Sequence, residues 1–379
     1  IMGGTRHRAE CIVRDNTDPD PNRRYKTLTP NVFNTGRGGY AVSPDGIHWT
    51  EISSPGINSA DEWNLTFDEQ EHLFLQYIKR GSKYGRAIWL ATSKDFETWT
   101  DPELIFEADD LDQELGKQRI KAWLADSSYR KIYANDPKIY NVDVYHMCPF
   151  RYESVYLGMP SMYHATGKVR FPGNTDGFDI VELASSRNLK NWKRLGDRKA
   201  FIHPSKVSNG AWDLKQIMPP AGAVVRGEEL WFYYSGIKIR GDHLVDGVKK
   251  FKSWAAICLA TLRRDGFISL DAADTECIVQ TKLFTVPGGR LHVNADVADG
   301  ELVVETLDSD GKVAWRSTPI NGDRSREEVR FDEGHNTLKG KMVSLRFRLT
   351  NGKIYSYWFE RVRKEELIRK RGGREDLGK

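Results

Sequence analysis

The chain has 379 residues, 57 of them Lys or Arg and 53 Asp or Glu, for a formal net charge of +4. That length suits a large repeat domain with a smaller companion. The interspersed, nearly balanced charges speak against nucleic acid as a partner, and no apolar run approaches the length that crosses a membrane.

Cys11 to Val13 form a short apolar run, followed by the turn-rich loop Asp15-Asn16-Thr17-Asp18-Pro19-Asp20-Pro21-Asn22. Strands are expected at 23–28 and at Gly38-Gly39-Tyr40-Ala41-Val42. A second unit starts at Asp61-Glu62-Trp63, with strands at 72–78 and 86–91. Between about Asp109 and Asn141 the pattern loosens into a charged insertion, with a helical turn or two expected within 111–124. A third unit runs from Asp143-Val144-Tyr145-His146 through 153–159 to 179–184. A fourth runs from Asp213-Leu214-Lys215-Gln216 through 229–235 to 255–260.

Three units close on one pattern, Ala-x-Ser-x-(Asp/Asn)-x-x-x-Trp, at 41–49, 91–99 and 184–192; 260–267 is a looser copy. Small residues suit a strand end, Asp or Asn suits the turn after it, and Trp covers apolar surface beyond. Identical internal spacing at irregular intervals points to propeller blades carrying unequal insertions. After about residue 276 the chain alternates apolar and polar residues between turns, the pattern of a small antiparallel β-sandwich. A charged tail ends it.

The four cysteines, Cys11, Cys148, Cys258 and Cys277, form no Cys-x-x-Cys pair, so free buried thiols are expected rather than a zinc site or disulfide framework. The first residues read as mid-domain sequence without a signal-peptide pattern. An upstream segment is therefore expected, and a signal peptide on it would make the protein periplasmic or secreted.

In a propeller, the first residues of the inner strands ring one mouth of the central channel. Asp61, Asp143 and Asp213 stand at such starts in successive units, and crowded carboxylates raise one another's pKa, which separates an acid from a base. The alternative for each is a turn cap. Glu153 lies among aromatics in Tyr152-Glu153-Ser154-Val155-Tyr156, where a carboxyl would be held protonated as a general acid, or would pair with Arg151. Trp63, Tyr145, Trp212 and Trp254 are candidates to stack on sugar rings or to pack the core. His146 is a candidate for a sugar hydroxyl or a satisfied core position, and Gln216 for further substrate contact. Arg23 and Arg24 suit an anionic substituent or strand-face ion pairs. Asp18 and Asp20 suit a pocket or, more simply, an exposed turn. No phosphate loop, Gly-x-Ser-x-Gly or His-Glu-x-x-His is present.

The repeat at 43–49, Asp20-Pro21-Asn22-Arg23-Arg24-Tyr25-Lys26, Tyr152-Glu153 through Leu157-Gly158, Arg264-Asp265-Gly266-Phe267-Ile268-Ser269-Leu270 and the stretch from Gly289-Arg290-Leu291-His292 resemble the five-bladed propeller glycosidases of the glycoside hydrolase family 32 and 43 clan, in particular uncharacterised bacterial family-32-like proteins. The resemblance implies an all-β chain: a five-bladed β-propeller over 1–276, with one blade incomplete or completed upstream, a β-sandwich over 277–362 and a tail over 363–379. It implies a glycoside hydrolase acting on an oligo- or polysaccharide, with Asp61 or Asp213 as nucleophile or base, Asp143 as supporter and Glu153 as acid. The sequence singles out no cofactor and no metal ligand. The Trp-x-Asn-Asp-Pro-Asn-Gly box of family 32 is reduced here to Asp18-Pro19-Asp20-Pro21-Asn22, and its Glu-Cys pair occurs only at Glu10-Cys11, which argues against fructan. A sugar-binding propeller without catalysis and a glycoside phosphorylase are the alternatives.

Overall fold

A computed structural model describes residues 9–29, 39–60, 62–171, 173–208, 210–245, 252–331 and 339–360. These are almost entirely strands and turns, with one α-helix among them. The chain divides into two compact units, Ile1–Ala223 with Phe232–Ala260, and Val224–Trp231 with Thr261–Lys379.

The first unit is built from antiparallel sheets whose strands follow chain order. One comprises β1 (Glu10–Arg14), β2 (Tyr25–Thr29), β3 (Gly39–Ser43) and β4 (Thr50–Ile52); the next comprises β5 (Trp63–Asp68), β6 (Leu73–Ser82), β7 (Gly85–Ser93) and β8 (Glu103–Phe106). The helix α1 (Asp110–Ala125) follows. Then come β9 (Asn141–His146), β10 (Phe150–Tyr152), β11 (Val155–Gly158), β12 (Ser161–Lys168), β13 (Thr175–Val181), β14 (Ala184–Ser186) and β15 (Trp192–Arg194).

Strands β9 to β15 form two short sheets, ordered β13-β12-β9 and β10-β11-β14-β15, that are one sheet bent in the middle. Pairing runs from His146↔Ser161 to Phe150↔Leu157, four residues on along both strands, and from Ser161↔Val181 to Gly158↔Ala184, three residues on. The register therefore survives the bend, which falls at Pro149 and Pro160, where no backbone N–H can join the ladder. A further sheet pairs β16 (Gln216–Met218) and β17 (Val224–Arg226) with opposite ends of β18 (Glu229–Ile237), and β19 (Ala255–Arg263) also pairs with β18.

The second sheet is buried on both faces, which explains why apolar residues stand on both sides of β6. Phe74 packs against Leu28, Tyr40 and Val42 of the first sheet, and Gln76 on that same face accepts from Tyr40 Oη at 2.7 Å. Leu75 and Tyr77 point the other way, into a core with Val142, Val144 and Met162. The first strands meet along their sides: β1 lies against β5, and β5 against β10.

The repeated motif is one turn made three times, between the third and fourth strand of each sheet. Ser43 Oγ accepts from Gly46 N, and Asp45 Oδ1 accepts from Ile47 N and His48 N, each at 2.8 Å. Ser93 with Asp95, and Ser186 with Asn188, repeat the Asx part. In each turn the third residue after Ser turns left-handed: Gly46, Phe96 and Leu189 at φ 77°, 66° and 63°. Side-chain oxygens take over the backbone donors that the strand end leaves unpaired. In the looser copy Asp265, at φ 57°, turns left-handed instead.

The insertion holds more helix than its composition suggests. The 16 residues of α1 are capped reciprocally: Asp109 Oδ1 accepts from Asp112 N and Asp112 Oδ2 from Asp109 N, both at 3.0 Å. Its buried face, Asp112, Gly116, Ile120 and Trp123, has helical spacing but opens on a carboxylate, which hid it from an apolar-period reading.

In the second unit the 18-residue β23 (Arg290–Leu307) is the spine. It follows β20 (Leu270–Ala272), β21 (Cys277–Gln280) and β22 (Phe284–Thr285), and precedes β24 (Val313–Arg316), β25 (Ile320–Glu328), β26 (Met342–Thr350) and β27 (Gly352–Glu360). Its first half pairs with β25 and β27, its second half mainly with β24 and β26. Leu291, Val293, Val304, Leu345 and Phe347 share its core. The four cysteines are free thiols; Cys148 is buried, whereas Cys277, against expectation, is exposed.

Candidate functional site

The register of β9, β12 and β13 sets Asp143, Tyr163 and Asp179 side by side across three strands. Directly paired residues share a face of a sheet, so two carboxyl groups flank one phenol ring. Tyr145, two residues beyond Asp143, stands on the same side of β9.

Asp143 is 6% exposed and accepts from Arg86 Nε at 3.1 Å (Oδ1) and 3.0 Å (Oδ2); Arg86 Nη2 lies 2.9 Å from Oδ1. Glu62 joins Lys79 Nζ to the Tyr145 hydroxyl, which donates to Glu62 Oε1 at 3.1 Å. Lys79, Arg86 and Arg240 lie 4.0, 4.7 and 5.0 Å from the centre of the Tyr145 ring, and Arg86 and Arg240 also approach Tyr163, at 4.7 and 4.4 Å. Three cations thus surround the Tyr145 ring, and two of them also the Tyr163 ring.

Asp179 differs from its companions. It is fully buried, and neither carboxyl oxygen has a hydrogen-bond partner among the described residues. Burial pushes its pKa up to about 7, with Asp143 adding to the rise and Arg240, Arg86 and Lys79 opposing it. Arg240 Nε is likewise buried without a partner. The network beneath holds both in place. Asp179 N donates to Lys215 O at 2.8 Å; Lys215 pairs with Asp176; and Asp242, bound by Arg130 at 2.7 Å, accepts from Arg240 N at 3.0 Å. Arg86 and Glu62 are the part-exposed members of the cluster, their side chains 28% and 31% exposed.

Several expected residues stand elsewhere. Asp61 lies outside the described residues. Glu153 is exposed, in the two-residue turn between β10 and β11 at φ 50°, and not enclosed by aromatics, which corrects its reading as a buried acid. It lines a cavity of about 500 Å³ at the other ends of the first strands, with Val13, Phe67, Asp68, Phe150 and Arg151. Asp213 is buried and accepts from Tyr234 Oη at 2.9 Å; no described hydrogen bond or ion pair joins it to Asp143. Trp63 packs half-buried against the core shared by the first two sheets, which explains it without a sugar. His146 Nε2 meets Asn64 Nδ2 at 3.2 Å in a buried position. Trp212 is covered by Lys238 Nζ, 3.8 Å from its ring centre, and Trp254 is half-exposed. Gln216 is buried, its amide 4.0 Å from Met218 Sδ. Arg24 is exposed at the end of a 3₁₀ turn, and Arg23 pairs with Asp18 and Glu97. Asp20 caps that turn, and Asp18 binds the buried Lys26.

Asp179, Tyr163, Arg86, Arg240, Lys79 and Glu62 escaped the sequence reading. Only strand pairing brings them together, and pairing across 36 residues from Asp143 to Asp179 leaves no local spacing signal. Among the described residues, no group of three or more His, Cys, Asp and Glu side chains is placed to hold a metal. No helix of the described residues is long and apolar enough to cross a membrane.

No protein-family model matches the chain. No curated protein matches it. Among solved structures it is similar to a glycoside hydrolase family 43 arabinoxylan arabinofuranohydrolase from Bacillus subtilis, at 11% identity over 93% of this chain and 79% of that one, TM-score 0.38. It is similar also to a β-1,2-mannobiose phosphorylase from Listeria innocua, at 16% identity over 82% and 66%, TM-score 0.34. A third likeness is to an N-acetylgalactosamine deacetylase from F. plautii, at 14% identity over 69% and 91%, TM-score 0.30. Likenesses this distant carry no argument about the chemistry of this chain.

Proposed function

We propose that the chain is a glycoside hydrolase that works with Asp143 and Asp179 across Tyr163. The observation that carries this reading is a pair of carboxyl groups on one sheet face in opposite environments. Asp143 is tied to Arg86, while Asp179 is buried, without a partner and pushed up to about 7. Carboxyls whose surroundings differ in this way can divide the roles of base and acid at neutral pH. Asp179 is the acid and Asp143 the base, with Tyr145 and Tyr163 as the ring surface beside them.

For the fold we propose the propeller over 1–276 and the sandwich over 277–362, within the family 32 and 43 clan. The turn repeated at the end of the third strand in three sheets, and the meeting of β1, β5 and β10, support the propeller. The test is a screen of plant and algal glycans with and without inorganic phosphate. Phosphate-independent release of sugar that falls at least a hundredfold in both Asp143→Asn and Asp179→Asn supports the reading. Turnover only with phosphate makes the protein a phosphorylase, and turnover unaffected by both variants removes the assignment.

A further inference from the structure

Three cations, Lys79, Arg86 and Arg240, converge on Tyr145, and their partners are unequal. Lys79 has Glu62 and Arg86 has Asp143. Arg240 forms no ion pair among the described residues; its backbone N–H is held by Asp242, while its Nε is buried and unpaired. The group next in line is Asp179, close enough to feel Arg240 as its strongest charged neighbour, yet with neither oxygen bonded. A buried guanidinium N–H and a buried carboxyl, both left open, cost stability unless a third group joins them.

We propose that these two unpaired groups mark a subsite for an oxyanion, a carboxylate on a sugar or a free phosphate, taken up by Arg240 next to Asp179 and Arg86. The proposal rests on the reading of this face as the substrate site. An anion there accepts from Arg240 Nε–H, lies beside an Asp179 carboxyl that repels it only when ionised, and balances a cation that has no ion pair among the described residues. A neutral sugar hydroxyl would leave that charge uncompensated. The strands hold the geometry ready. Gly241, at φ 77°, passes so close to β13 that a Cβ would stand 2.1 Å from Thr175 O, which fixes Arg240 over the sheet that carries Asp179.

The charged and titratable groups facing Asp179 are Lys79 on β6, Arg86 on β7, Asp143 on β9, Tyr163 on β12 and Arg240 beyond β18. With Asp179 titrating at about 7, binding that needs its proton weakens about tenfold between pH 6 and pH 8.

Calorimetric titration of the full chain with sodium glucuronate, with inorganic phosphate and with glucose, at pH 6 and pH 8, tests this. Binding of at least one anion, weaker at pH 8 by about tenfold, absent for glucose and reduced at least tenfold in Arg240→Gln, is the expected result. Glucuronate binding more tightly than phosphate assigns the anion to the sugar; the reverse order assigns it to free phosphate. In Asp179→Asn, whose neutral amide never repels the anion, binding persists and the pH dependence vanishes. No anion binding at 10 mM, glucose binding as well as glucuronate, or Arg240→Gln binding like the parent overturns the proposal. Anion binding without cleavage of any glycan would leave the subsite standing and remove the hydrolase reading. Cleavage of neutral glycans without anion binding would do the reverse.

Discussion

Gly85 gives Asp143 its room. A Cβ on Gly85 would stand 2.7 Å from Asp143 Oδ2, and Gly85 holds φ 116°, a region that L side chains rarely adopt. Arg86 N, directly after it, reaches Asp143 Oδ2 at 3.3 Å. The start of β7 is therefore shaped around the carboxylate. Gly85→Ala is expected to destabilise the chain by about 1–3 kcal/mol and, because it displaces Asp143 from Arg86, to lower turnover beyond what the stability loss explains. Urea unfolding alongside kinetics at a temperature where both proteins are folded checks it; unchanged turnover would separate the glycine from the site.

Asp179 makes stability depend on pH in a direction opposite to most acids. Its pKa is near 7 in the folded chain against an ordinary 3.8. Between those values the native state holds more protons than the unfolded one. The contribution is thus complete below about pH 4, declines as pH rises and is lost above 7. Asp179→Asn removes the charge that burial penalises. The variant should exceed the parent in stability by about 2–4 kcal/mol at pH 8 and by nothing at pH 4. Denaturant midpoints at the two pH values measure this, and equal differences at both would contradict it.

The ion network under α1 makes a prediction about stability alone. Asp112 is fully buried and pairs with Arg194 at 2.9 Å and Arg198 at 2.6 Å; Glu182, equally buried, pairs with Arg119 at 2.8 Å and Arg194 at 2.6 Å. Asp112→Asn leaves two guanidinium groups undercompensated and should cost about 3 kcal/mol. Glu114→Ala, on the exposed side of the same helix, should stay within about 0.5 kcal/mol. Thermal unfolding of the two variants decides whether α1 is held by this network or by Ile120 and Trp123 alone.

The repeated turn was the most legible feature of the sequence, because Ser, Asp and Trp at fixed spacing act within seven residues and record their geometry locally. The strands at 73–82 and 85–93 were legible for the same reason. The site was not. Tyr145 and Asp143 stood out by position, but their partners come from β6, β7, β12, β13 and the segment after β18, joined by register and by buried charge, neither of which a linear reading displays. Glu153 misled because aromatic neighbours in sequence do not enclose a residue at a hairpin tip.

Asp95 should show what one such turn contributes. Its Oδ1 accepts from Ser93 Oγ, Glu97 N and Thr98 N at 2.9, 2.8 and 2.7 Å. Burial is the largest single influence and opposes ionisation, but these donors together outweigh it and bring its pKa down to about 2. A depressed acid lends stability above its unfolded value and loses it as pH falls towards 2. By analogy with helix caps, Asp95→Ala should cost about 1 kcal/mol at pH 7 and less at pH 2.5. Melting curves at both pH values test it, with Asp101→Ala, outside the turn, as a control for charge alone.

Glu153 and Asp179 decide which end of the first strands is chemical. Glu153 lines the cavity of about 500 Å³ together with Asp68 and Arg151, which pair at 2.8 Å. If the chemistry lies at the Asp143 end, Glu153→Gln leaves turnover within about twofold, whereas Asp179→Asn loses about a hundredfold or more. The backbone supplies an independent check. At φ 50° Glu153 occupies a conformation that glycine accepts freely and β-branched residues resist, so Glu153→Gly should be neutral in stability and Glu153→Val should cost about 1–2 kcal/mol, neither touching turnover. A large loss in Glu153→Gln with Asp179→Asn fully active would assign the chemistry to the cavity beside Glu153, where Asp68 and Glu153 would become the pair to study.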